Sequence, residues 1–135
     1  MIIIGALAAV STPIFFDRQA FDERGYFDDL VGALRYAQKY AVSSGCTTRV
    51  VTNATSYSLF RAATFATCNG GTYTQALPHP ADPGQAFANT APTGIAVSAS
   101  DFTFSPSGSA STTVTITVGA RSVRVVGPTG FVQVL

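Results

Sequence analysis

The chain has 135 residues, of which 47% are hydrophobic and only 11% charged, against ~25% charged in a typical soluble domain. A formal net charge of +1, from 8 basic and 7 acidic side chains, excludes an acidic solvating tail and a strongly basic nucleic-acid binder, and the chain is too apolar to be intrinsically disordered. One histidine (His79) and two cysteines are too few for a zinc site built from protein ligands alone.

Residues Met1–Phe16 (MIIIGALAAVSTPIFF) carry no charge. The run falls short of the ~20 residues that span a bilayer as a helix. No positive region precedes it, so it does not read as an intact signal peptide. Being apolar all round rather than striped, it does not read as a core helix either. The expectation is a membrane helix whose beginning lies upstream of Met1.

Helical periodicity comes next. Phe27, Leu30, Val31, Leu34, Ala37 and Ala41 recur at i, i+3, i+4 and i+7 and form one apolar stripe. Asp28, Asp29, Arg35, Gln38 and Lys39 fall off that stripe and are expected on the outer faces. Arg18–Asp22 and Arg24–Asp28 are spaced as i, i+4 ion pairs. Gly45 supplies the stop. A helix continuous from Met1 to Ser44 would be about 66 Å long at ~1.5 Å per residue, so part of it must protrude. Pro13, which cannot donate to the Ala9 carbonyl, and Gly25 are expected to bend it, and Gly25 leaves open a break into two helices.

Beyond Cys46 the residues turn to Thr, Val, Ser, Ala and Gly. Expected strands are Thr48–Thr52 and Tyr57–Ala63 around an Asn53–Ser56 loop, a short Tyr73–Leu77, then Ile95–Ser98 and Phe102–Ser105. Pro78–Gly94, with four prolines, reads as loop. Thr113–Val118 and Arg121–Val126 flank Gly119-Ala120, a turn of type II′ character, and Phe131–Leu135 closes the chain. Such short strands argue an antiparallel sheet, which the Phe27–Ala41 stripe would cover. Cys46 and Cys68 would close a loop worth roughly 3 kcal/mol as a disulfide if the chain is exported; in the cytosol they would be two buried thiols.

The combination resembles the type IV pilin-like proteins, in particular minor pilins and pseudopilins of the GspH/FimT type. The residues that carry it are Ile2, Ile3, Ile4, Gly5, Ala6, Leu7, Ala8, Ala9, Val10, Pro13, Phe15 and Phe16, then the helix through Lys39 to Ser44-Gly45, the Phe102–Gly108 turn, and Val123-Arg124-Val125 with Gly130. The resemblance implies an α+β, type IV pilin-like fold: a long N-terminal α-helix packed on an antiparallel β-sheet. It divides the chain into an apolar membrane and filament segment (1–16), the amphipathic half of the helix (17–45) and a globular sheet domain (46–135). The family's basic leader, cleavage-site Gly, methylated Phe and early Glu have no counterpart here, so about nine mature residues are expected before Met1, enough to complete a ~20-residue span. No cleavage or methylation residue is assigned.

A family member of this kind is a structural subunit of a type IV pilus or a type II secretion pseudopilus, acting in filament initiation or at the tip. It sits in the bacterial inner membrane with a periplasmic domain and joins the filament on assembly. Its partners would be other pilin or pseudopilin subunits, the inner membrane and its assembly platform, and the prepilin peptidase acting on the full-length precursor. No enzyme activity and no cofactor are expected: His79 lies between two prolines, Ser107 has no evident histidine partner, and Asp82 and Asp101 are the only acids beyond residue 30. Two other classes stay open. Arg121 and Arg124 could contact DNA in an uptake pilus, although each phosphate contact adds only about one unit of salt dependence. Tyr57, Tyr73 and the Pro78–Pro92 loop could form an adhesin's binding face.

Overall fold

The computed structural model describes residues 18–70 and 72–135. Ile2 to Phe16, Pro13 included, lie outside the described residues. Helix α1 spans Arg18–Ser44 and is unbroken at Gly25. The ~1 kcal/mol that a glycine costs in a helix interior is outweighed there by burial of the next two side chains, Tyr26 and Phe27. Gly45 ends the helix at φ +71°, its N–H returning to the Ala41 carbonyl at 3.1 Å.

Among the described residues, ten strands come after the helix: β1 (Thr48–Thr52), β2 (Ser56–Arg61), β3 (Gln75–Ala76), β4 (Pro78–His79), β5 (Asp82–Ala86), β6 (Ala88–Thr90), β7 (Ser100–Phe104), β8 (Val114–Val118), β9 (Arg121–Val125) and β10 (Val132–Val134). They form two antiparallel sheets rather than the single one expected, plus a β4–β5 hairpin. The first sheet has the order β3-β2-β1-β7, with β6 sharing the outer edge of β2; the second is β10-β9-β8. The division falls where β7 ends. On its side away from β1, Phe104 makes only an isolated bridge to Ala110, and β8 pairs instead with β9 and, through the Val97 bridge, with the segment expected as strand 95–98.

Alternation decides which side chains face the helix. In β1, Thr48, Val50 and Thr52 turn inward while Arg49 and Val51 turn out. The two inward threonines satisfy their hydroxyls locally: Thr48 Oγ1 donates to the Ala37 carbonyl at 3.0 Å and Thr52 Oγ1 to the Ser98 carbonyl at 2.7 Å. In the β8–β9 hairpin Ile116, Val118, Val123 and Val125 are fully buried. Gly119 begins its turn at φ +58°, the sign a type II′ turn requires at that position.

The stretch expected as loop carries three strands. Leu77 and Phe87 explain why. The Leu77 N–H donates to the Leu59 carbonyl (3.0 Å), the Leu59 N–H to the Phe87 carbonyl (3.1 Å), and the Phe87 N–H to the Leu77 carbonyl (2.7 Å). The chain thus leaves and rejoins the outer edge of β2 at one point. Residues 78–86 project from there as the β4–β5 hairpin, with every residue of β5 exposed.

One core unites these parts. Leu30, Ala33, Leu34, Ala37 and Ala41 of α1 are 0% exposed, with Phe27 and Val31 also buried. They pack in one cluster with Val50, Leu59, Phe102 and Phe104 of the first sheet and Ile116, Val123 and Val132 of the second. Tyr26 and Ala33, off the expected stripe, are buried too, so the covered face is wider than the stripe. At the far end Cys46 and Cys68 form a disulfide with Cα atoms 5.2 Å apart. Beside it the Asn69 carboxamide accepts from the Thr47 N–H at 2.8 Å and donates to the Gly45 carbonyl at 3.0 Å, fixing the exit from the helix.

Two outcomes are expected. Leu34→Ala, which removes side-chain volume where helix and sheets meet, should cost about 2–5 kcal/mol in urea unfolding. Reducing the disulfide should lower stability by about 2–4 kcal/mol without changing the far-UV circular dichroism at low temperature.

Candidate functional site: surfaces around the helix

Three groups of residues around α1 bear on function. The first is a polar clasp between helix and first sheet. Tyr57, inward-facing on β2, donates its hydroxyl to the Asp29 carboxylate, and the Asn89 side chain of β6 donates to the same oxygen at 2.9 Å. Tyr26, one helical turn before Asp29, donates its hydroxyl to the Asn89 carbonyl at 2.9 Å. Its ring lies 5.8 Å from that of Tyr57. Burial, with the Asp29 charge adding to it, pushes the Tyr26 phenol up to about 12. For Tyr57 burial again acts first, helped by its bond to Asp29, and raises the phenol above the ordinary tyrosine range. Asp29 was expected on the outer face; it lies instead at the edge of the interface because β6 brings Asn89 over it.

The second group sits beyond it in the chain. Gln38, also expected to face outward, donates through Nε2 to the Gly108 carbonyl at 2.8 Å and the Thr129 carbonyl at 3.3 Å. This holds the 106–108 turn against the turn before β10. A Cβ at Gly130 would lie 1.8 Å from the Gly108 oxygen, so only glycine fits there.

The third group is at the start of α1. Phe21 is 72% exposed. With Ala20, Arg24 and Arg121 it lines a shallow cleft of about 220 Å³. Glu23, on the other side of the helix, accepts from the Ala120 N–H at 3.2 Å and pairs with Arg121 Nε at 3.8 Å. This tethers the β8–β9 turn to the helix start, a link with no signal in sequence spacing. The C-terminus is close by, since the Leu135 N–H donates to the Ser122 carbonyl at 3.0 Å.

The arginines expected to act together are set apart. Strand alternation puts Arg121 and Arg124 on opposite sides of β9. Arg121 faces Glu23, Arg49 is paired with Asp101 at 2.6 Å, and Arg61 donates to the Tyr40 hydroxyl. The Arg49 guanidinium, through its bond to Asp101, holds that carboxyl below its ordinary value. Among the described residues, Arg24 and Asp28 are not paired; both are exposed, and such a pair is worth too little to hold two long side chains together. The side chain of Arg18 lies outside the described residues.

The adhesin reading loses one of its residues. Tyr57 is 2% exposed, so it offers no ring to the 390 Å³ cleft that runs over β2 and β6 beside it. His79 stacks on Phe87 at 4.6 Å and accepts the Ala81 N–H on Nδ1 at 3.1 Å. The Ser107 hydroxyl meets those of Ser105 and Ser109. Among the described residues, no three His, Cys, Asp or Glu side chains gather as a metal site, and no helix is long and apolar enough to cross a membrane.

A family model described as type II transport protein GspH matches residues 27–129. A comparison with curated protein sequences finds no significant match. Among solved structures, the type IV minor pilin FimU of Pseudomonas aeruginosa is similar with a TM-score of 0.62 at 14% identity, over 89% of this chain and 92% of that one. The minor pseudopilin EpsH from the type 2 secretion system of Vibrio cholerae gives a TM-score of 0.63 at 13% identity, over 84% of this chain and 96% of that one. At such identities the likeness shows the fold.

The clasp predicts a pH dependence. A phenol whose folded value lies above its unfolded value of ~10 stabilises fully below that value. Stability should therefore be flat up to about pH 9.5 and fall as pH rises from ~10 toward the folded value of about 12. Tyr26→Phe should flatten part of that fall in denaturant titrations. Tyr57→Phe should cost about 1.5–3 kcal/mol at neutral pH, since it strips a donor from a carboxylate.

Proposed function

This chain belongs to the GspH family of type II transport proteins, and on that premise we propose that it is a structural subunit, a minor pilin or pseudopilin, that helps initiate or cap a type IV pilus or a type II secretion pseudopilus. In this reading Met1–Phe16 forms part of the inner-membrane helix, with the sheet domain in the periplasm. Other pilin or pseudopilin subunits are its partners in the filament.

The observation that carries the proposal is a change of character along one stretch of chain. Met1–Phe16 is uncharged, and two residues later begins a helix whose inner face is fully covered by its own sheets. An uncharged segment next to a helix already satisfied needs a separate apolar environment. Lipid supplies one, and a bundle of like helices supplies another of the same chemistry. Passage from membrane to filament then exposes no apolar surface to water. The small residues Gly5, Ala6, Ala8 and Ala9 would allow close approach of such helices. Pro13 would let the segment curve into the filament.

The role fits a domain with its polar groups spent on holding itself together. The clasp, the Gln38 contacts and the disulfide all serve rigidity. A rigid domain passes load and position from one neighbour to the next.

Expressed alongside the filament system encoded by its neighbouring genes, the protein should fractionate with inner membranes when the assembly motor is absent. It should be recovered in sheared filaments when the motor is present. Ala8→Asp, which places a charge costing up to about 2.5–3.5 kcal/mol within the proposed span, should release it from the membrane fraction and abolish recovery in filaments. Recovery of the wild-type protein only in the soluble fraction would overturn the reading.

A further inference from the structure

The end of the domain beside the start of α1 combines an exposed aromatic ring with two arginines. Phe21, at 72% exposed, is the most exposed large apolar side chain described. Val134 and Leu135, also exposed, lie at the same end, since Leu135 is bonded to Ser122 and the neighbouring Arg121 to Glu23. Arg24 and Arg121 flank Phe21 around one cleft. Arg24 has no ion-pair partner among the described residues. An aromatic ring between cations, with aliphatic side chains near it, is the composition of a membrane-interface belt.

Position along the chain points the same way. The uncharged segment ends at Phe16. Were the proposed membrane helix to run on into α1, Phe21 would lie ~7 Å and Arg24 ~12 Å beyond that residue at the helical rise. Each headgroup layer is ~5–8 Å thick. Side chains on a helix lean toward its N-terminus, here back toward the segment, which brings the Arg24 guanidinium within that layer.

We propose that this end of the domain docks on an anionic phospholipid headgroup layer, Phe21 entering it and Arg24, unpaired among the described residues, meeting a lipid phosphate. The proposal rests on the reading of Met1–Phe16 as a membrane segment. Among the described residues, the acidic groups at this end are Asp22 and Glu23. Glu23 is engaged by Arg121 and the Ala120 N–H, and Asp22 lies ~100° around the helix from Phe21, so neither caps the cleft. Docking would hold the waiting subunit end-on against the membrane, and extraction into the filament would break it.

The chain contains no tryptophan, so Phe21→Trp gives a single clean reporter. The full chain carrying it would be mixed with vesicles of phosphatidylcholine alone or with 30% phosphatidylglycerol, then followed by flotation and by indole emission. Flotation with both vesicle types is expected, with a blue shift and quenching by headgroup-labelled lipid only on the anionic ones. Arg24→Gln should lower the ratio of docked to undocked protein about fivefold, Arg24→Lys should preserve it, and 1 M salt should abolish the shift. Flotation without a blue shift would overturn the docking while leaving the membrane segment intact. No flotation at all would overturn both. A shift that rises with protein concentration without lipid would mean self-association and would also overturn the docking.

Discussion

Two sheets lean on one helix, and neither has a core without it. Val50, Leu59 and Phe104 from the first sheet and Ile116, Val123 and Val132 from the second belong to one buried cluster with Leu30, Leu34 and Ala37 of α1. The small residues matter as much as the large ones. Ala33, Ala37 and Ala41 are wholly buried, and their lack of bulk lets strands approach the helix backbone, near enough for the Thr48 hydroxyl to reach the Ala37 carbonyl. Each sheet is small, with three strands in the second and short partners at the edge of the first. The shared helix makes them one cooperative unit instead of two marginal ones.

The polar contacts are a result of that packing. Once the helix lies between sheets, its flanks meet backbone and side chains that would otherwise be hydrated. Asp29 at one flank and Gln38 at another find partners on β6 and on the turns before β8 and β10. Those contacts add direction to a burial that by itself is non-directional. They fix the rotation of the helix over the sheets. Any force applied along α1 is then delivered to both sheets at once.

Much of this was legible in the sequence, and the reasons differ from element to element. Helix α1 announced itself through spacing, β8 and β9 through alternation of Val or Ile with Thr and Arg, and β1 through its place before the Asn53–Ser56 loop. The cysteine bridge needed only the inference of export. Strands β4, β5 and β6 were invisible because they are edge elements with no buried face to impose a pattern. Their pairing is dictated by backbone groups around Leu77 and Phe87, and backbone bonds leave no residue signature. Asp29 and Gln38 were misplaced for a related cause. Periodicity locates the centre of a buried face, while its margins depend on which distant strand arrives beside them. Pairing of Arg121 with Glu23, across 98 positions of chain, belongs to the same class of long-range fact.

The hairpin of residues 78–86 has a consequence of a different kind. Its two ends, Leu77 and Phe87, are bonded to each other and to Leu59, so the excursion begins and ends at a fixed point. Phe87 seals that point by stacking on Tyr36 and touching Tyr57. Beyond His79, whose ring stacks on Phe87, whatever lies between is therefore insulated from the fold. Lengthening a loop whose ends are already clamped costs little closure entropy, about 0.6 kcal/mol per doubling. Evolution is free to rewrite this segment while the scaffold stays the same, and so is an engineer seeking a place to graft an epitope or a reactive tag.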